Sequence, residues 1–139
     1  MTVVRDTKHN LLSIADRRRL TGPGLRAFWN LARLWSLTDR EQMRLLGISS
    51  KSTLRRWRQG KVTALHEETF ERLSLIFGIF RAINELLGPG EQADRWVRTP
   101  NRAPLFGGRS ALDLMLSGRV IDLHAVRDYL RGIQSGWLG

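Results

Sequence analysis

The 139-residue chain has no cysteine, which excludes a disulfide scaffold and any thiolate metal site. Its three histidines, His9, His66 and His124, stand too far apart for paired metal-ligand spacing, so neither a metal nor a cofactor is expected. No serine or cysteine nucleophile signature appears, and Asp113, Asp122 and Asp128 read as caps and helix-surface charges. The chain is therefore expected not to be an enzyme. No apolar run is long enough to cross a bilayer, and the first residues lack the uninterrupted apolar core of a signal peptide. A cytoplasmic protein without a membrane partner is the expectation. Nowhere do apolar and polar residues alternate as in a half-buried strand, so the expected fold class is all-α.

Acidic residues are scarce as well: 13 Asp and Glu stand against 23 Lys and Arg, a net charge of +10. The deficit is local. Residues 1–62 carry 14 basic and 4 acidic side chains, whereas residues 63–139 carry nine of each. A basic half joined to a neutral half implies one nucleic-acid module and one module with a different partner. Arg17-Arg18-Arg19 adjoins no broad apolar face, which argues against a membrane-surface helix. An apolar content of 42% over this length is that of a globular chain, as one domain or two small ones.

The most informative stretch is Leu37 to Gly60. Thr38 and Glu41 have capping-box spacing, Gly47 suits a left-handed stop, and Ser49 or Ser50 can cap a second helix. Met43, Leu45 and Leu46 are expected to face a core, with Ile48 as the anchor of the turn. On the second helix Leu54 and Trp57 share a face, which leaves Lys51, Ser52, Arg55 and Arg56 pointing elsewhere. Two short helices joined by a glycine turn, the second bearing hydroxyls and arginines outward, is the layout of a helix-turn-helix. Arginine and lysine neutralise phosphates, arginine can grip guanine with two donors, and hydroxyls near a helix start reach phosphates or base edges. The DNA-facing set is expected to be Ser49, Ser50, Lys51, Ser52, Thr53, Arg55, Arg56 and Arg58.

Upstream, Gly22-Pro23-Gly24 reads as a breaker between the polar segment Met1–Thr21, a loose arm or a short helix, and a helix over Leu25–Trp35, whose Trp29 and Trp35 belong to the core. Arg17 to Arg19 reads either as a basic arm reaching phosphates or as a solvated tail. Downstream, His66 to Leu87 is a long helix with one apolar line through Phe70, Leu73, Phe77, Phe80, Asn84 and Leu87 and another through Leu75, Ile79, Ala82 and Leu86. A helix apolar on two sides must be covered on two sides. A second copy can supply one cover, with Phe70, Leu73, Phe77, Phe80 and Asn84 as the dimerisation face and Asn84 fixing register. A single-chain core helix is the competing reading. Gly88-Pro89-Gly90 stops the helix; further helices are expected around Ala93–Val97, from Ser110 to Gly118, and from about Asp122 through Ile133. Phe106-Gly107-Gly108-Arg109 before a helix start reads as a tight turn or as a cradle for an anion, and Arg109 either pairs with Asp113 or projects to a partner. Trp137-Leu138 reads as docked on its own domain or as an interface anchor.

Pro100-Asn101, Leu105, Gly107-Gly108-Arg109-Ser110, Leu112, Gly118, Val126, Leu130, Ile133 and Gly136 resemble the skeleton of the Xre/MbcA/ParS toxin-binding domain. With the helix-turn-helix upstream, residues 24–139 resemble the Xre-type antitoxins of RES–Xre toxin–antitoxin systems. The resemblance implies a homodimeric antitoxin that represses its own operon at an operator DNA site and neutralises a RES-domain toxin. Such toxins degrade NAD or transfer ADP-ribose from it, and the antitoxin covers the toxin's active site. Three parts are expected: a basic arm over 1–22, a DNA-binding domain over 23–65, and a dimerisation helix with a toxin-binding domain over 66–139. The resemblance places toxin contacts at Asn101, Phe106, Gly107, Gly108, Arg109, Trp137 and Leu138. Between Gly47 and Trp57 the chain is one residue longer than the family's usual pattern, within Ser49-Ser50-Lys51-Ser52, which leaves the start of the recognition helix open by one position. A stand-alone helix-turn-helix repressor whose C-terminal module only oligomerises is the alternative.

Overall fold

Gly22-Pro23-Gly24 lies inside a helix, not between two. In the computed structural model, which describes residues 12–136, α1 runs unbroken over Ile14–Leu34 with Pro23 in its interior. The expected break fails for a steric reason. The helical conformation is disfavoured before proline through clashes of the ring with the preceding residue's N–H and Cβ, and Gly22 removes the Cβ part. Thr21 then ties the helix from both sides: its hydroxyl donates to the Arg17 carbonyl and accepts the buried Leu65 N–H at 3.0 Å. Arg17 to Arg19 therefore sit on a helix rather than on a loose arm.

Six further helices follow among the described residues: α2 Asp39–Leu46, α3 Lys51–Arg58, α4 Glu67–Leu87, α5 Glu91–Trp96, α6 Ala111–Met115 and α7 Val120–Gln134. They contain no named strand, only an isolated antiparallel bridge between Pro100 and Ser110. The all-α fold class holds. Local signals set most of the helix ends. Thr38 and Glu41 form the full capping box, Ser110 and Asp113 form a second, and α4 stops before Gly88.

α4 is the axis of the fold. α1 packs along one side of it, where Gly24 meets Phe70 and Leu73, and α7 along the other, where Gly78 meets Arg127. One apolar core is continuous from Phe28, Trp35, Leu45 and Leu54 through Ile76 and Ile79 to Val97, Leu112 and Val126. The two apolar lines of α4 are thus largely covered within one chain. Leu73, expected on a dimer face, is only 2% exposed, packed in its own chain's core, and so leaves that set. Met43, expected in the core, is half-buried at its edge, as are Trp29 and Trp57.

Candidate functional site

The α2–α3 unit is built as its sequence dictates. Gly47 adopts φ 75°, ψ 28° and ends α2 in the left-handed conformation that glycine enters without steric cost. Ser50, not Ser49, is the N-cap of α3, and its hydroxyl accepts from Thr53 N at 3.3 Å. That fixes the one-residue ambiguity: α3 begins at Lys51. Leu54 faces inward at 1% exposure, while Lys51, Ser52, Arg55 and Arg56 all face solvent. Thr53 is half-buried, Ser49 is exposed on the turn, and the Ser50 and Ser52 hydroxyls are 2.7 Å apart. Arg56 reaches only its own Thr53 at 3.2 Å, and Arg55 makes no side-chain bond among the described residues.

Arg58 departs from this pattern. Its guanidinium bonds Asp39 at 2.7 Å and Gln42 at 2.9 Å and lies 5.7 Å from the centre of the Trp29 ring. The same contact, with its Coulomb attraction, holds the Asp39 carboxyl below the usual carboxylate range. Arg58, an exposed member of the expected DNA-facing set, also braces α3 against α2 and α1.

Three arginines outside that set join the helix-turn-helix to the C-terminal part. Arg44 donates to the Leu116 and Ser117 carbonyls at 3.0 and 2.8 Å, and the 6%-exposed Arg72 donates to Gly118 O at 2.8 Å. Arg98 donates to Trp35 O at 3.0 Å, Ser36 O at 2.8 Å and the Glu41 carboxylate at 2.7 Å. Sequence reasoning missed all three because most of the acceptors are main-chain carbonyls, which leave no residue signature. Burial acts to raise the pKa of Glu41, yet hydrogen bonds from Arg98 and from Thr38 N–H outweigh it and hold the carboxyl below 4.5. A depressed folded pKa stabilises above the unfolded value and loses that contribution as pH falls through the folded value. Arg98→Ala is expected to cost about 1–2 kcal/mol near neutrality. Its stability deficit should shrink as pH falls through and below the ordinary carboxylate range and Glu41 protonates in the wild type. Thermal midpoints at pH 7 and pH 3 check this; an equal deficit at both would contradict the Arg98–Glu41 link.

Arg98 also opens the segment 100–110, a loop closed on itself. Asn101 N donates to Arg109 O at 3.0 Å, Gly108 N to Asn101 O at 2.9 Å, and the Asn101 side chain accepts from Ala103 N. Gly107 and Gly108, at φ 58° and 90°, make the reversal. The N–H groups of Gly107, Gly108, Arg109 and Ser110 are all used internally, so the turn reading holds and the anion cradle does not. Asp113 is likewise engaged, by the Ser110 N–H, and does not pair with Arg109. Phe106, expected at a partner surface, is 4% exposed between Trp96 and Tyr129, with ring centres 6.3 and 5.0 Å away. It is a core residue that anchors the loop. Outward stand Arg109 and Leu105, the latter 39% exposed. Trp137 and Leu138 lie outside the described residues.

Of the expected dimer face, Phe70, Phe77, Phe80 and Asn84 are half-buried, and Asn84 donates to its own helix at Phe80 O. Phe77, Phe80 and Asn84 border a groove of about 750 Å³ between α1 and α4, closed on the far side by Leu31 and Leu34.

Comparison with known proteins matches both halves. Residues 15–78 match the Antitoxin Xre-like helix-turn-helix domain, and residues 82–136 match the Antitoxin Xre/MbcA/ParS C-terminal toxin-binding domain. The chain is also similar to the uncharacterized protein y4oB of Sinorhizobium fredii, 43% identical over 112 residues, which are 81% of this chain and 84% of that protein. An exposed recognition helix, a closed loop at the start of the second module and two family matches in the same order lead to one assignment: the chain belongs to the Xre-type antitoxins, with a helix-turn-helix domain followed by a toxin-binding domain.

Proposed function

We propose that this antitoxin is the non-enzymatic, homodimeric member of a RES–Xre pair: it covers the active site of a RES-domain toxin and represses its own operon. The observation that carries the toxin half is the loop 100–110. Its main-chain bonds and buried Phe106 fix its shape, while Leu105 and Arg109 are left to a partner. A preformed loop loses little conformational freedom on docking, which favours tight capture. An arginine at its tip suits a pocket that normally receives the phosphates of NAD. Trp137 and Leu138 belong to the same proposed surface.

Repression is supported by the outward face of α3, from Ser49 and Ser50 through Lys51, Ser52, Thr53, Arg55 and Arg56. The groove bordered by Phe77, Phe80 and Asn84 supports a second copy, with Phe70 alongside. Two copies would read two half-sites of one operator.

The test is capture of the RES-domain protein encoded beside this chain by full-length Leu105→Asp/Arg109→Glu. Wild type is expected to co-purify with the toxin and the variant to lose it, with the helical spectrum and thermal midpoint retained. Undiminished capture by a folded variant would move the toxin contact elsewhere.

A further inference from the structure

A cavity of about 290 Å³ opens where the last turns of α1, the start of α2 and the end of α3 meet. Trp29, Arg33, Ser36 and Arg58 line it, and no carboxylate does. Both arginines are exposed, so the cavity is a cationic mouth rather than a void in the core. Arg58 uses only Nη2 on Asp39 and Gln42, which leaves Nη1 and Nε as donors. Arg33 bonds only Asn30, one turn back on its own helix, among the described residues. Ser36 turns the chain out of α1 at φ 54°, and Arg98 pins its carbonyl at 2.8 Å, so the rim is held in place.

The cavity borders the outward face of α3. Arg58 follows Lys51 and Arg55 by seven and three residues, so the three share one side of that helix. The Asp39 carboxyl senses all three: Arg58 bonds it, and the charges of Lys51 and Arg55 also help to hold its pKa down. Trp29 brings α1 to the same edge, because Arg58 lies 5.7 Å from its ring centre, and Arg33 stands one turn further along the same side of α1. A duplex that places base edges against Lys51 and Arg55 therefore carries a flanking sugar–phosphate strand past Arg58 and Arg33.

We propose that Arg33 and Arg58, with Ser36 at the rim, hold one phosphate of the nucleic-acid backbone beside the groove read by α3. The ligand class is a phosphodiester: guanidinium forks match its charge and its paired oxygens, and the cavity has room for the group and bridging water at about 30 Å³ for each molecule. This rests on the operator-binding reading and deepens it with a contact that carries no sequence information, so its loss weakens binding to all duplexes alike.

The experiment measures affinity of the full chain for its own promoter and for an unrelated duplex of equal length across a salt series. The proteins are wild type, Arg33→Ala, Arg33→Lys and Arg131→Ala, each with its thermal midpoint. Arg131 is exposed on α7, across α4 from α1, so its loss lowers the net charge equally without touching the cavity. Arg33→Ala is expected to lose about one in the slope of log affinity against log salt. It should do so on both duplexes, with the ratio between them unchanged, while Arg33→Lys and Arg131→Ala keep the wild-type slope. A wild-type slope in folded Arg33→Ala, or an equal loss in Arg131→Ala, would overturn the phosphate site and leave the operator reading intact. In a separate arm, inorganic phosphate is added to the proteins without DNA. A midpoint that it raises in wild type but not in Arg33→Ala, with the slopes unchanged, would give the cavity to a free anion and overturn the backbone contact. Failure of the wild type to prefer its promoter would overturn the operator reading, and loss of slope in Arg33→Ala would then still support the backbone contact. Absence of binding to either duplex would overturn both.

Discussion

Arg55→Ala/Arg56→Ala is expected to weaken binding to the chain's own promoter about 100-fold or more at fixed salt, and to leave toxin capture unchanged. Both side chains face solvent on α3, whose inward residue is the 1%-exposed Leu54. Truncating an arginine that reads a base costs about 1–3 kcal/mol and relaxes specificity at that position, and each 1.4 kcal/mol is about tenfold. Neither side chain braces the fold, since Arg56 touches only Thr53 and Arg55 bonds nothing among the described residues. The helical spectrum should therefore survive. Arg58→Ala is the contrasting variant: it removes the bonds to Asp39 and Gln42 and should lower the thermal midpoint as well as affinity. A gel shift at one salt concentration separates the cases. Unchanged affinity in the Arg55/Arg56 variant would mean that another surface reads the operator.

Gly47→Ala is expected to destabilise the protein by about 3 kcal/mol, a fall of roughly 10 °C in the thermal midpoint. Two costs combine at this position. Any side chain at φ 75° meets left-handed strain of about 1–2 kcal/mol. A Cβ there would also stand 2.7 Å from Arg72 Nε and 2.9 Å from its Cζ, closer than real contacts come. Arg72 has little freedom to step aside, because it is 6% exposed and holds Gly118 O at 2.8 Å and Glu68 at 3.0 Å. Gly60 supplies the control. It has φ 78° with open space around it, so Gly60→Ala should show the backbone cost alone. In Gly47→Ala/Arg72→Ala the clash disappears, and the double variant should be more stable than the sum of the single losses predicts. Strict additivity would mean that Arg72 does not press on this turn.

These two cases show where a sequence is readable. Thr38, Glu41, Gly47 and Ser110 could be placed from residue types alone, and the cap at Ser50 to within one residue, because caps and left-handed stops are decided within four residues. Gly22-Pro23-Gly24 misled because the same local rule has an exception when glycine precedes proline, and because Thr21 gains a tertiary bond to Leu65. Phe106 misled because the resemblance gives the segment as a contact surface but not which of its side chains turn inward, and this ring inserts between Trp96 and Tyr129. Arg44, Arg72 and Arg98 were invisible as a group. Their carbonyl acceptors, which every residue possesses, lie 46 to 73 residues away. The same applies to Leu73: periodicity identifies an apolar line on α4 but not whether α1 or a second copy covers it.

Those arginines also bear on how the two domains act. The helix-turn-helix and the toxin-binding domain share one core and are joined by guanidinium-to-carbonyl bonds, so they form one body rather than beads on a linker. A toxin held at Leu105 and Arg109 would keep a fixed placement relative to α3, through Arg98 and the Ser36–Glu41 turn it holds.

The most direct test of the account is growth of cells expressing the protein encoded beside this chain, with and without the full-length chain. The account predicts that this neighbour is a RES-domain toxin that alone arrests growth and depletes NAD or marks a target with ADP-ribose, and that co-expression restores growth with the two proteins co-purifying. A growth arrest that the folded, co-expressed chain neither relieves nor accompanies by binding would contradict it.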